Sequence, residues 1–179
     1  MTNLLYEKML FETDNTYVSV ADPEDIDYIV GIYNSNPGFL MAHIGREKID
    51  AQWAEDDINT MKEIGFMSCK VVLKTSKTSI GLLDFSMKEE SYLSLLMLHS
   101  VYKHIGLGSE VYEGLEQFVM AHESERIRID VVTTYDKGVL DFWDSKGFNM
   151  IEKVELNWSG MRLPAVVMKK KYDRRLTIW

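Results

Sequence analysis

The sequence predicts one α/β domain built on a mixed, mainly antiparallel sheet, and three observations carry that reading. Three β-prone runs, Met67 to Leu73, Ser79 to Phe85 and Tyr92 to Leu98, are separated by the charged stretches Lys74-Thr75-Ser76-Lys77 and Met87-Lys88-Glu89-Glu90. Links that short join antiparallel neighbours. The third run leads through a loop with Gly106 and Gly108 into an amphipathic segment, Glu110 to Ala121, and then into Arg126 to Thr133, where Ile127, Ile129 and Val131 alternate. A strand reached through a helix lies parallel to the strand before it. Finally, Phe148 to Trp158 and Met161 to Lys170 form a hairpin around Ser159-Gly160.

The other elements follow in chain order. Leu4 to Phe11 reads as a strand or a helical turn before the polar break Glu12-Thr13-Asp14-Asn15, and Tyr17-Val18-Ser19-Val20 alternates as a strand. Asp22-Pro23-Glu24-Asp25 supplies an N-cap, a proline for the first helical position and acids for the first turn, ahead of a face of Ile26, Ile29, Val30 and Tyr33. Asn34-Ser35-Asn36-Pro37-Gly38 stops that helix. A second helix is expected from Lys48 to Ile64, with Trp53, Ile58, Met61 and Ile64 inward and Gly65 as its end. Val111, Leu115, Phe118 and Val119 give the third helix its core face, and the fourth runs from Lys137 to Lys146, ending at Gly147. Neither repeat nor linker divides the chain, so residues 1–179 form one domain, with 1–16 an N-terminal extension and 172–179 a C-terminal tail.

Composition narrows the function classes. A chain of 179 residues is long enough to bury about two-thirds of its unfolded surface. With 28 acidic against 20 basic residues the net charge is −8, which opposes nucleic acid and anionic membranes as partners. The lone Cys69 leaves neither an intrachain disulfide nor a thiolate metal cluster and reads as a small core residue. No apolar run reaches the roughly 18 residues of a membrane span, and Met1-Thr2-Asn3 does not open a secretion signal. The expected location is the cytoplasm.

The most informative stretch is Leu93 to Ser109. Gly106 and Gly108 lack a Cβ, so a ligand can approach the backbone, and the amides from His104 to Ser109 stand at a helix start. Free amides and the positive end of the helix dipole attract phosphate. Val111 occupies the place of a third glycine and no Gly-Lys-Ser/Thr follows, so neither the dinucleotide nor the P-loop fingerprint is present.

Tyr102-Lys103-His104-Ile105-Gly106-Leu107-Gly108-Ser109 resembles the acetyl-CoA signature [Q/R]-x-x-G-x-[G/A] of the GCN5-related N-acetyltransferases, with Lys103 in place of the usual arginine or glutamine. Val139 to Phe148 resembles a second block of that family, A-x-x-F-Y-x-x-x-G-F. Both motifs occur in the family order, and the resemblance spans roughly residues 17 to 171. It implies an α/β sandwich with about four helices whose fourth and fifth strands splay, acetyl-CoA as acyl donor with no metal, and acetyl transfer to an amine.

The resemblance places the pantetheine arm along Leu96 and Leu98, with a backbone amide near Leu96 facing the thioester oxygen. The pyrophosphate falls on His104, Ile105, Gly106, Leu107, Gly108 and Ser109, with Lys103 and Asp136 beside it; Asp136 reads equally as a helix N-cap. Trp143 stands where the family often has an acidic tyrosine, lining the thioester pocket with a group that donates but does not act as an acid. Tyr135 is the alternative acid and Glu90 the expected base. His99 and His104 fall on the phosphate side, while His43 and His122 read as surface residues. Lys169-Lys170-Lys171 with Arg174-Arg175 reads as a solvated end, and Leu176 to Trp179 as a segment that docks on the domain or on a second subunit of a homodimer. The resemblance gives the acceptor to Asn34 to Asp57, with Phe39, Met41, His43, Arg46, Trp53, Glu55, Asp56 and Asp57; the acids suit a cationic amine such as a polyamine, an aminoglycoside or a peptide N-terminus on which aromatic side chains stack, and read equally as a solvated helix face. A competing reading, an acyl-CoA-binding or regulatory domain with reduced chemistry, rests on Trp143.

Overall fold

The structure, a computed structural model, describes residues 8–172. Eight strands form one sheet: β1 (Met9–Glu12), β2 (Thr16–Val20), β3 (Met67–Leu73), β4 (Ser79–Ser86), β5 (Glu90–Leu98), β6 (Arg126–Val132), β7 (Asn149–Trp158) and β8 (Met161–Lys171), in the order β1-β2-β3-β4-β5-β6-β8-β7. Five helices cover it: α1 (Ile26–Asn34), α2 (Pro37–Ile44), α3 (Ala51–Glu63), α4 (Leu107–Ala121) and α5 (Lys137–Ser145). The anticipated antiparallel meander is β3-β4-β5, the parallel partner is β6, and the closing hairpin is β7-β8. Of the ambiguous N-terminal run, Leu4 to Glu7 lie outside the described residues and Met9 to Phe11 belong to β1, a strand antiparallel to β2, so the fourth and fifth strands expected from the resemblance are β5 and β6. Among the described residues no helix is long and apolar enough to cross a membrane.

The sheet is packed on both faces. One core joins Val111, Leu115 and Val119 of α4 and Trp143 of α5 to Val71, Leu83, Phe85, Leu93 and Ile129. The other joins Ile29, Ile32 and Tyr33 of α1, Leu40 and Ile44 of α2 and Ala54 of α3 to Leu82, Leu95 and Met97. Cys69 is buried in the first core, as its type and strand position implied.

Two local irregularities open the sheet. β5 pairs with β6 only from Glu90↔Arg126 to Tyr92↔Arg128, while β6 stays paired with β8 as far as Val132↔Ala165, so β5 and β6 diverge beyond Tyr92. On its other edge, β5 matches Leu95 to Asp84 but Leu93 to Phe85, which leaves Ser94 as an extra, unmatched residue. This bulge breaks the alternation of side chains: Leu93 faces the α4 core and Leu95 the α1–α3 core, although residues two apart normally share a face.

Several expectations need correction. Asn34 to Gly38 does stop α1, but a fifth helix starts inside it, because Pro37 takes the first position of α2 after Asn36 as N-cap. α3 begins at Ala51, where Asp50 accepts from the Trp53 N–H at 2.9 Å, and Ile64 at its end is exposed and not inward. Lys169 and Lys170 are not a solvated end: they belong to β8 and pair with Glu90 and Glu116. Arg174, Arg175 and Leu176 to Trp179 lie outside the described residues, so their docking is not addressed by the structure.

Candidate active site

The divergence of β5 and β6 opens a cavity of about 920 Å³ that reaches both faces of the sheet. Its walls at one end are Lys103, His104, Gly106, Gly108 and Ser109, with Asp136, Val139, Phe142 and Trp143 beside them, and Tyr135 stands between that end and the rings of Phe39 and His43, which it meets edge-on. At the other end are Tyr33, Phe39, His43, Asp57, Met61, Asp84 and Trp158. Ser94, Leu96 and Leu98 of β5 lie along its length.

The first end is a backbone construction. After β5 the chain makes a short 3-10 turn, Ser100–Tyr102, then takes left-handed conformations at His104 (φ 61°) and Gly106 (φ 90°) before α4 starts at Leu107. Backbones that alternate hand in this way turn successive N–H groups towards one concavity. No side chain caps Gly106, and the acid of the first turn, Glu110, turns away to accept from Asn15 N (2.8 Å) and Asn15 Nδ2 (2.8 Å) and to bond Thr13. The amides of the helix start therefore have no capping side chain among the described residues. At Gly108 a Cβ would meet nothing nearer than Leu98 Cδ1 at 3.9 Å, so the open space in front of it belongs to the cavity. Lys103 is half-buried there; burial lowers its pKa while Asp136 opposes the shift.

Asp136 lines the cavity, and its Oδ1 accepts from Gly138 N at 2.8 Å as the N-cap of α5. Trp143 is buried, edge-on to Tyr112 and Phe148. Ile105 and Leu107 do not line the cavity: Ile105 is exposed and Leu107 is in the core. One polar atom in the cavity wall lacks a partner. Asn36, 4% exposed, donates from Nδ2 to Ile32 O (2.8 Å) and Leu98 O (3.1 Å), while its Oδ1 accepts from no described group.

Glu90 is a correction. It does not line the cavity, because Lys169 Nζ donates to both its carboxylate oxygens at 2.8–3.0 Å and Arg126 Nε stands 3.8 Å away. The carboxylates that do reach the cavity are Asp57 of α3 and Asp84 of β4. Burial pushes Asp84 up to about 7 and Asp57 up to about 6, with Asp57 reinforcing the first and a hydrogen bond from Tyr33 opposing the second. Glu55 and Asp56 are exposed on α3, outside the cavity. At the neck, Asp130 accepts from Tyr92 Oη (2.9 Å) and from Arg128 Nε and Nη2 (both 2.8 Å).

His43 is the second correction: it is a cavity residue and not a surface one. Its ring stacks on Phe39 (centroids 3.9 Å, 19°) and meets Tyr135 and Trp158 edge-on at 5.4 and 5.5 Å. His122 is exposed as expected, and His99 turns back on its own loop, accepting from Val101 N at 3.4 Å.

Comparison of the sequence with protein-family models and with curated proteins finds no match. The fold does match solved structures. An acetyltransferase from Thermus thermophilus superposes with a TM-score of 0.68 at 19% identity, over 86% of this chain and 96% of that one. A GNAT-family acetyltransferase from Bacillus anthracis gives 0.72 at 11% identity over 90% and 97%. RimL, a ribosomal L7/L12 alpha-N-protein acetyltransferase in complex with coenzyme A, gives 0.69 at 11% identity over 92% and 98%. The protein has the fold of the GCN5-related N-acetyltransferases, as the two sequence blocks implied.

Proposed function

We propose that this protein is an acetyl-CoA-dependent N-acetyltransferase that acetylates a primary amine of a small molecule or peptide by direct attack. The observation that carries the reading is the continuity of one cavity from the uncapped, glycine-lined start of α4, through the gap between β5 and β6, to a mouth with a buried carboxylate, Asp84, and a half-buried one, Asp57. A phosphate cradle and a site for a cation at opposite ends of one channel suit an activated acyl donor and an ammonium acceptor.

Acetyl-CoA supplies the activated thioester. Lys103 and the amides from His104 to Ser109 hold its pyrophosphate. Leu96 and Leu98 flank the arm, and the orphaned Asn36 Oδ1 offers an acceptor to an N–H of that arm. A main-chain amide near Leu96, beyond the Ser94 bulge, donates to the carbonyl oxygen as negative charge develops. Tyr135 stands at the junction of the two halves as the proton donor to the departing sulfur, and Trp143 closes α5 against the core as scaffold. The charges of Asp57 and Asp84 draw the ammonium into the mouth.

The test is release of free thiol from acetyl-CoA on addition of primary amines. Amine-dependent release is expected. Tight binding of CoA with no release for any amine or peptide N-terminus supports instead a CoA-binding protein without transfer chemistry.

A further inference from the structure

An amine that enters the mouth as an ammonium must lose a proton before its nitrogen can attack. Glu90, the acid that sequence position nominated for this task, is tied to Lys169 and Arg126 outside the cavity. Three other groups in the mouth can accept a proton: Asp57, Asp84 and His43.

His43 differs from the two acids in how its hydrogen-bonding is fixed. Nδ1 lies 2.8 Å from the carbonyl oxygen of Phe39, one helical turn earlier. A carbonyl oxygen can only accept, so Nδ1 carries the proton, and in the neutral ring Nε2 is then a bare lone pair. Phe39 on one face and the edges of Tyr135 and Trp158 hold the ring in place. Nε2 takes no hydrogen bond from any described residue, and the ring borders the cavity, so a ligand is what remains to meet it. Burial lowers the pKa of the ring, the Phe39 carbonyl opposing. Tyr135 is the titratable group in ring contact with it from the β6–α5 side, and Asp57 and Asp84 face the same cavity from α3 and β4. No charged group bonds the imidazole directly. Burial by contrast raises the proton affinity of both Asp57 and Asp84, with Tyr33 opposing the first shift and Ser68 the second.

We propose that His43 is the catalytic base that deprotonates the acceptor ammonium. This rests on the transferase reading above. Nε2 takes one proton from the ammonium, and the freed lone pair forms the C–N bond as the C–S bond breaks. The second nitrogen proton leaves as the amide forms, the sulfur gains a proton to become the CoA thiol, and the imidazolium returns its proton to solvent.

The experiment compares His43→Gln with the wild type on two acceptors at pH 7, one a strongly basic alkylamine and the other an O-alkyl hydroxylamine, which is already unprotonated. For the alkylamine, kcat/KM should fall about 10²–10³-fold, with acetyl-CoA affinity unchanged. For the weakly basic acceptor the loss should stay under about tenfold, because there is no ammonium proton to remove. Equal losses on both acceptors, or less than a threefold loss on the first, overturn the proposal while leaving the transferase reading intact. A wild type that acetylates neither acceptor nor any other amine overturns both. Should His43→Gln fail to fold, side-chain 15N NMR of the wild type gives an independent reading: the proton is expected on Nδ1 at pH 7.5, and a proton on Nε2 overturns the assignment.

Discussion

The two ends of the cavity are made of different material. The end at α4 is backbone: a loop with two left-handed residues, an uncapped helix start and a glycine facing open space, all within Lys103 to Ser109. The mouth is side chains brought from Tyr33, Phe39, His43, Asp57, Asp84 and Trp158, on elements spread over most of the chain. The first end suits the fixed geometry of a phosphate group; the second can change residue by residue without disturbing the sheet.

If that division is right, substitutions in the two halves fail differently. The largest effect is expected at Gly108→Val. Its Cβ has room against Leu98 but its methyls would fill the cradle, so the protein folds while CoA affinity falls by about 10²-fold or more, roughly the loss of two charge-assisted hydrogen bonds. Retained affinity in titration calorimetry would break the assignment of that end. Tyr135→Phe, at the junction, should lower kcat by about 10²-fold or more, as for a lost general acid, with cofactor affinity unchanged. Trp143→Phe should stay within about tenfold of wild type, well below the loss of a true acid, and a large loss there with intact folding would make the tryptophan more than scaffold.

Smaller effects separate the halves by stability. Acetyl-CoA at a hundredfold excess over its Kd should stabilise by about 2.7 kcal/mol, roughly 5–11 °C in Tm for a chain of this size; no shift would count against the cradle. The mouth should act in the opposite sense. Burial raises Asp84 to about 7 and Asp57 to about 6, so between about pH 4 and 7 the folded state binds more protons than the unfolded one. Stability of the free protein therefore falls as pH rises through that window and levels off above it. Asp84→Asn removes the charge that must be buried and should raise Tm at pH 8, by a few degrees for on the order of 1–3 kcal/mol. Convergence of the two proteins near pH 4.5 sharpens the claim, and a lower Tm for Asp84→Asn at pH 8 breaks it. The smallest effect is expected at Gly106→Ala, where a Cβ meets nothing but φ is 90°; the cost is about 1–2 kcal/mol, read by denaturant midpoint.

The same division explains what the sequence disclosed. The β3–β5 meander is a local pattern that spacing placed, while the loop before α4 and the Phe142-Trp143 block are local motifs that the family resemblance picked out. The Ser94 bulge was not legible, since a polar residue in an apolar strand gives no register. Glu90 was read in the turn before the strand, whereas it opens β5, and its partner Lys169 is distant in sequence. His43 was named in the acceptor segment but read as a surface residue, because α2, whose start looked like a stop, was not recognised. Pro37 after Asn36 was the available signal, and Leu40, His43 and Ile44 then follow the i, i+3, i+4 rule on the buried face. Asp84 also left a trace, a single charge within Ile80 to Phe85, but only the fold brings it to Asp57 in one cavity.

The central claim is that cradle and mouth are two ends of one reaction path, and a bisubstrate ligand tests it most directly. CoA joined through an S-linked acetyl unit to the nitrogen of the best amine acceptor should bind about 10²-fold or more tighter than CoA alone, because the second contact becomes intramolecular. A conjugate that binds no better than CoA would show that the carboxylate mouth and the α4 cradle do not serve the same transfer.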